Sequence, residues 1–179
     1  MAHSILVCYA TRSGSTAEVA EAVGKTLRAA HVDAVVMPAK EVRSLDAHRG
    51  VILGAPLYMF RLHRDARAFL TRHREALAQK PVAVFALGPF HDEEKEWAEV
   101  SAQLEKELAS FPWFSPVVRT VFGGAFDPAR LGFPYTLIPA LRRMPASDAR
   151  DWKAIDAWAT EMGRLLDAPP RGARNGGQL

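Results

Sequence analysis

Hydrophobic residues along the chain form two alternating patterns. Short unbroken apolar runs predict β-strands that are buried on both faces of a sheet, and they occupy residues 5–9, 32–37, 51–55, 81–87 and 117–122. Longer stretches with apolar residues at helical spacing predict amphipathic helices, of which the first ends near Ala30 and the others cover residues 64–78, 92–110 and 151–166. Residues 40–49 are polar and predict a loop or one helical turn. The alternation predicts an α/β fold with a parallel sheet and helices on both faces.

The turn between the first strand and the first helix has the composition of an anion site. Residues 11–16 combine hydroxyl side chains with Arg12 and Gly14. The first N–H groups of a helix have no intrahelical partner, and the helix dipole adds a positive field, so this turn can bind a phosphate. An N-cap role for Ser15 or Thr16 explains the same residues. Neither G-x-G-x-x-G nor G-x-x-x-x-G-K-[ST] is present.

Two segments carry a resemblance to a known family. Thr11-x-Ser13-Gly14-x-Thr16, after an N-terminal strand, resembles the phosphate loop of the flavodoxins, which holds the monophosphate of FMN. Residues 51–58 are similar to the family's third strand and the flavin-contacting loop that follows it. The resemblance implies FMN as cofactor and a flavodoxin-like three-layer sandwich, whose five-stranded parallel sheet has the order 2-1-3-4-5 and helices on both faces.

The expected site lies at the carboxyl ends of the strands, where strand order reverses. In flavodoxin-like proteins two loops sandwich the flavin ring, and here these are residues 56–60 and 87–91. Simple packing of the strand ends, or a partner interface, also explains their apolar side chains, but together with the phosphate loop they favour the flavin. The expected cofactor-binding residues are Thr11, Arg12, Ser13, Gly14, Ser15, Thr16, Pro56, Leu57, Tyr58, Met59, Leu87, Gly88, Pro89 and Phe90.

Further motifs resemble the flavodoxin-domain branch that includes the menaquinone-dependent protoporphyrinogen oxidases. They are Thr11-Arg12-x-Gly14-x-Thr16 in residues 11–16, which we call the phosphate turn, the Gly54-Ala55 loop leading to His63, the pair Gly123-Gly124, and Asp151-Trp152 at the start of the last helix. The resemblance implies an FMN enzyme that passes electrons from a reduced organic substrate to a quinone. An electron carrier without its own substrate, or a binding module without redox activity, remains an alternative.

No side chain is assigned a catalytic role. The chain shows neither an acid–base dyad nor a nucleophile constellation, and redox chemistry would belong to the flavin. His63 and His91 lie near the expected site, but a single histidine is more often structural.

The basic charge separates this chain from the acidic flavodoxins that shuttle electrons between proteins. Its net charge is +3 and its pI is about 9.2. Arginines around residues 61–67 and 142–150 favour an anionic, porphyrin-like substrate or a phospholipid surface, although a solvated helix face also explains them. No nucleic-acid partner is expected.

An apolar segment with an arginine pair, from Leu131 to Met144, predicts peripheral contact with a membrane, which a quinone acceptor would require. An ordinary loop with a short helix, packed on the domain, explains the same segment.

One domain, residues 1–167, is expected, because 179 residues with 49% hydrophobic content can form one sizeable core. The single cysteine, Cys8, lies within a predicted strand and excludes a disulfide framework or a cysteine metal site; no metal is expected. No apolar run approaches the ~20 residues of a membrane span. A cytoplasmic protein is expected, at most peripheral at the inner membrane face, with a disordered tail at residues 168–179. The sequence leaves the oligomeric state open.

Overall fold

A parallel β-sheet forms the centre of the computed structural model, which describes residues 4–58, 61–89, 91, 93–133 and 135–167. The strands are β1 (Ser4–Tyr9), β2 (Ala34–Pro38), β3 (His48–Tyr58), β4 (Arg61–Leu62), β5 (Val82–Leu87) and β6 (Val118–Phe122). The order is β2-β1-β3-β5-β6, and β4 pairs antiparallel with the end of β3. Counted over the parallel strands alone, this confirms the predicted order 2-1-3-4-5.

Helices cover both faces of the sheet, as predicted. The helices are α1 (Ser15–Ala29), α2 (Arg64–Arg72), α3 (Arg74–Ala78), α4 (Glu94–Ala109), α5 (Pro139–Arg143) and α6 (Trp152–Asp167). Ile5 and Val7 of β1 pack towards α1 and α6, whereas Leu6 and Cys8 pack towards α2, α3 and α4. Successive residues of a strand point to opposite faces, so an unbroken apolar run is needed where both faces are covered. The thiol of Cys8 is fully buried, and burial raises its pKa.

Several predicted boundaries were wrong for local reasons. The helix predicted at residues 64–78 is broken at His73, whose buried ring nitrogen Nε2 lies 3.3 Å from the carbonyl oxygen of Val42. The third strand continues past Pro56 to Tyr58, because its end pairs with β4. Trp152, the first residue of the last helix, carries an apolar side chain but is 40% exposed, with the guanidinium of Arg150 4.7 Å from its ring centroid.

A long connecting segment lies between β6 and α6, and we call its residues 125–150 the covering segment. It begins with β7 (Ala125–Phe126) and closes with β8 (Ser147–Asp148), which pair antiparallel. Between them lie two 3-10 turns, Pro128–Arg130 and Tyr135–Leu137, and helix α5.

Membrane-spanning helices were not predicted from the sequence. Within the described residues, the structure contains no helix whose length and apolar character would let it cross a bilayer. Residues 168–179, predicted to form a disordered tail, lie outside the described residues.

Candidate functional site

The turn before α1 is shaped by a threonine and a glycine. The Oγ1 of Thr11 accepts a hydrogen bond of 2.9 Å from the backbone nitrogen of Gly14. Gly14 has a φ of 92°, a left-handed conformation that favours glycine, and it caps α1 without a side-chain hydrogen bond. The alternative that Ser15 or Thr16 is the N-cap is therefore wrong: both lie inside the first turn, and Thr11 folds the loop.

The hydroxyl of Thr16 is a buried polar group at the N-terminal end of α1. Thr16 is fully buried in the first turn of α1, and its Oγ1 has no hydrogen-bond partner in the described structure. A buried hydroxyl without a partner costs ~1–3 kcal/mol. An anion bound at the N-terminus of α1 would supply an acceptor at the place where the helix dipole favours negative charge.

A cavity of about 500 Å³ opens beside this turn. Of the predicted cofactor-binding residues, the structure brings together around it Arg12, Ser13, Ser15, Pro56, Leu57, Leu87, Gly88 and Pro89. Thr11, Gly14 and Thr16 lie in the adjoining turn and not in the cavity lining. Met59 and Phe90 lie outside the described residues, as does the side chain of Tyr58. The three predicted segments therefore meet at one site at the carboxyl ends of β1, β3 and β5.

Two walls of the cavity were not predicted. The covering segment contributes Phe126, Leu131, Tyr135 and Leu141, and α4 contributes Glu96, Glu99, Val100 and Gln103. The guanidinium of Arg12 lies 3.9 Å from the ring centroid of Tyr135, so the covering segment contacts the phosphate turn directly. No local sequence signal links these residues, because Arg12 and Tyr135 are far apart in the chain.

The two nearby histidines have different surroundings. The Nδ1 of His63 accepts a hydrogen bond from the backbone nitrogen of Asp65 and caps α2. Burial lowers the pKa of His63, and Arg64 and Arg12 lower it further, against an opposing effect of Asp65. His91 lines the cavity, with its Nδ1 3.0 Å from Glu96 Oε1.

The arginines around residues 61–67 and 142–150 do not line this cavity. Arg67 pairs with the buried carboxylate of Glu107, and Arg150 pairs with Asp148 and Glu18. In the part of the chain that is described, none of Arg61, Arg64, Arg67, Arg142, Arg143 and Arg150 belongs to its lining. Within the same residues, no three His, Cys, Asp or Glu side chains are grouped so that they could hold a metal ion.

Comparison with known proteins identifies the type of site. The family model described as Flavodoxin domain matches residues 6–144. Oxidised flavodoxin 1 of Bacillus cereus is 18% identical, with a TM-score of 0.59 over 91% of this chain and 99% of that chain. Flavodoxin 2 of the same organism is 22% identical, with a TM-score of 0.59 over 90% of this chain and 99% of that chain.

A larger redox protein shares the fold. Rubredoxin oxygen:oxidoreductase of Desulfovibrio gigas is 15% identical, with a TM-score of 0.55 over 92% of this chain and 36% of that chain. At these identities the solved structures establish the fold alone. No curated protein matches the sequence.

The family match indicates FMN as the cofactor, as the sequence predicted, and the residues present fit it. The first turn of α1 offers open N–H groups and the unpartnered hydroxyl of Thr16 to a phosphate. Pro56, Leu57, Leu87 and Pro89 offer apolar surface to a flat ring.

We expect Thr16→Val to separate cofactor affinity from the stability of the free protein. The substitution keeps the shape of the side chain but removes the unpaired hydroxyl, so the FMN-free protein should unfold at the same or a higher denaturant concentration. FMN affinity should fall about fivefold or more, because a hydrogen bond to the phosphate is lost. Flavin-fluorescence titration and urea unfolding measure the two effects.

Thr160→Val is the matched control, because that hydroxyl bonds the carbonyl of Asp156 within α6. Unchanged FMN affinity in Thr16→Val would show that the hydroxyl does not contact the phosphate.

Proposed function

The chain belongs to the flavodoxin domain family, and on that premise we propose that it is an FMN-dependent oxidoreductase which takes electrons from a reduced organic substrate and passes them to a quinone-type acceptor. The family places the protein among redox flavoproteins, and FMN supplies the redox chemistry. The observation that carries the enzymatic proposal is the cavity wall built by the covering segment.

That wall encloses a space suited to a small molecule. Leu131, Tyr135 and Leu141 extend the cavity beyond the flavin loops, so that apolar side chains face polar ones on α4. A concave, mostly apolar site with a few polar groups is typical of small-molecule binding. An electron carrier needs an exposed flavin edge for another protein, and such a wall does not serve that purpose.

A porphyrinogen is the substrate that the sequence resemblance suggests. Arg12 and His91 line the cavity and would bind the carboxylates of a porphyrin-like molecule. Glu96 and Glu99 lie on the same wall and would disfavour carboxylates beside α4.

The outer side of the covering segment supports access to a membrane quinone. Phe133 and Leu137 are 78% and 69% exposed, and the exposed arginines Arg142 and Arg143 follow in α5. Exposed apolar side chains beside cations suit an anionic lipid surface. The same short segment thus supplies the cavity wall and the proposed lipid contact.

A turnover assay tests this function. We expect protoporphyrinogen, added anaerobically to the FMN-loaded protein, to bleach the blue flavin absorbance, and menaquinone to restore it. Bleaching by a flavin reductase but not by the porphyrinogen would contradict the enzymatic proposal and favour an electron carrier.

A second arm of the assay presents menaquinone in lipid vesicles. Turnover should be faster with vesicles that contain anionic lipid than with neutral ones, and high salt should reduce the difference. Arg142→Gln/Arg143→Gln should abolish this preference while leaving the bleaching step unchanged. Equal turnover rates on both kinds of vesicle would contradict the proposed lipid contact but not the proposed enzymatic activity.

A further inference from the structure

A second cavity, of about 310 Å³, also adjoins the phosphate turn. Ser13 and Ser15 of the turn line both cavities, as do Ala125, Phe126 and Asp127 of the covering segment, so the two cavities are neighbours. Arg130 and Arg150 of the covering segment also line the second cavity. Two arginines from a distant part of the chain therefore face the hydroxyls that are expected to bind the FMN phosphate.

Arg130 is in close reach of the turn itself. Its Nη1 lies 3.7 Å from the position that a Cβ on Gly14 would occupy. This Nη1 donates a hydrogen bond of 2.7 Å to Glu18 Oε1, and the Nε of Arg130 lies 3.7 Å from Asp127 Oδ2. A guanidinium has five N–H donors in a planar fork, more than these two contacts use.

The carboxylate of Glu18 holds Arg130 close to the expected anion site. This carboxylate lies in the first turn of α1 and is bound by both arginines, with Arg150 Nη1 at 2.6 Å from Oε2. The hydrogen bonds from Arg130 and then Arg150 hold the pKa of Glu18 below its usual value. Arg150 is itself fixed by Asp148 through its Nε and Nη2, so it serves as an anchor for the cluster.

We propose that Arg130 is a ligand of the FMN phosphate, supplied to the turn by the covering segment. The phosphate is a dianion with several acceptor oxygens, and a guanidinium binds it through charge-assisted hydrogen bonds. Arg130 keeps one donor on Glu18, which prevents that carboxylate from repelling the phosphate, and turns other donors towards the phosphate oxygens. The cofactor would then be bound by a cation as well as by neutral hydroxyls and backbone N–H groups. The inference rests on FMN binding and not on the substrate or the acceptor.

The test compares FMN with riboflavin, which lacks the phosphate. We expect Arg130→Gln to weaken FMN binding about tenfold, as loss of a charge-assisted hydrogen bond predicts, and to leave riboflavin binding unchanged. The loss should shrink as salt is raised, because Arg130 is largely exposed. Arg164→Gln is the matched control. It also removes one exposed positive charge, but Arg164 lies in the last turn of α6, so neither the FMN affinity nor the riboflavin affinity should change.

A second pair of variants separates contact from charge neutralisation. Arg130→Gln made in a Glu18→Gln background should still weaken FMN binding about tenfold. No loss in that background would show that Arg130 only neutralises Glu18 and would overturn the proposal, as would an unchanged FMN affinity in Arg130→Gln itself. A wild-type protein that binds neither flavin, or binds both equally, would overturn it as well. Failure to bind either flavin would also overturn the proposed function, whereas the other outcomes leave that function intact.

Discussion

Replacing Arg67 with methionine should lower the free energy of unfolding by about 3 kcal/mol, because a buried carboxylate loses its cation. Glu107 in α4 is only 5% exposed, and its Oε1 is bound by Arg67 and by the backbone nitrogen of Leu62. The Leu62 contact ties α4 to β4, which in turn pairs with the end of β3 beside the cavity. Loss of Arg67 should therefore loosen the hairpin that carries Pro56 and Leu57.

Urea unfolding of three variants would check this expectation. Arg64→Met removes an arginine that is 90% exposed and should change stability by less than about 0.5 kcal/mol. The double variant Arg67→Met/Glu107→Gln should recover most of the loss, because a neutral amide needs no cation and its oxygen can still accept from the backbone nitrogen of Leu62. Equal unfolding midpoints for Arg67→Met and Arg64→Met would show that Glu107 does not depend on this pair.

Gly123→Ala should destabilise the protein by about 2 kcal/mol and displace the covering segment. A Cβ at Gly123 would lie 1.9 Å from the carbonyl oxygen of Ala149 and 2.4 Å from its carbon. That neighbour is backbone and cannot rotate away, so overpacking is relieved only by moving the chain. The backbone nitrogen of Ala149 donates to the carbonyl of Gly124 at 2.9 Å, and this contact would be lost with the close approach.

Limited proteolysis and thermal unfolding would detect this change. Cleavage within residues 125–150 should become faster in Gly123→Ala, whereas α1 and the sheet stay protected. Gly132→Ala is the control within the same segment, because no atom lies within 4 Å of the added Cβ. If both variants resist protease as the wild type does, the packing of Gly123 against Ala149 does not hold the segment in place.

Local pattern was sufficient to predict the sheet and the phosphate turn. The run from Ile5 to Cys8 packs on both faces of the sheet, so its apolar pattern reports its burial directly. The turn could be found because its hydroxyls and Gly14 are consecutive in the chain. The order of the parallel strands was implied by the resemblance to the flavodoxins rather than by local pattern, and the structure confirms it.

The covering segment could not be placed because its contacts join distant residues. Glu18 and Arg150 are separated by 132 positions, and neither has a local motif that indicates the other. Arg67 and Arg150 are each paired with a carboxylate and lie outside the lining of the larger cavity, which the arginine content of the sequence could not show.

The unpaired hydroxyl of Thr16 has a consequence for the protein inside a living cell. A ligand that binds only the folded form stabilises it in proportion to the logarithm of its concentration. The protein without FMN is the less stable form, and its unfolded fraction is the one that chaperones and proteases reach. We therefore expect newly synthesised molecules to persist longer where FMN is plentiful, so that the amount of this protein depends on the supply of its cofactor as well as on expression of its gene.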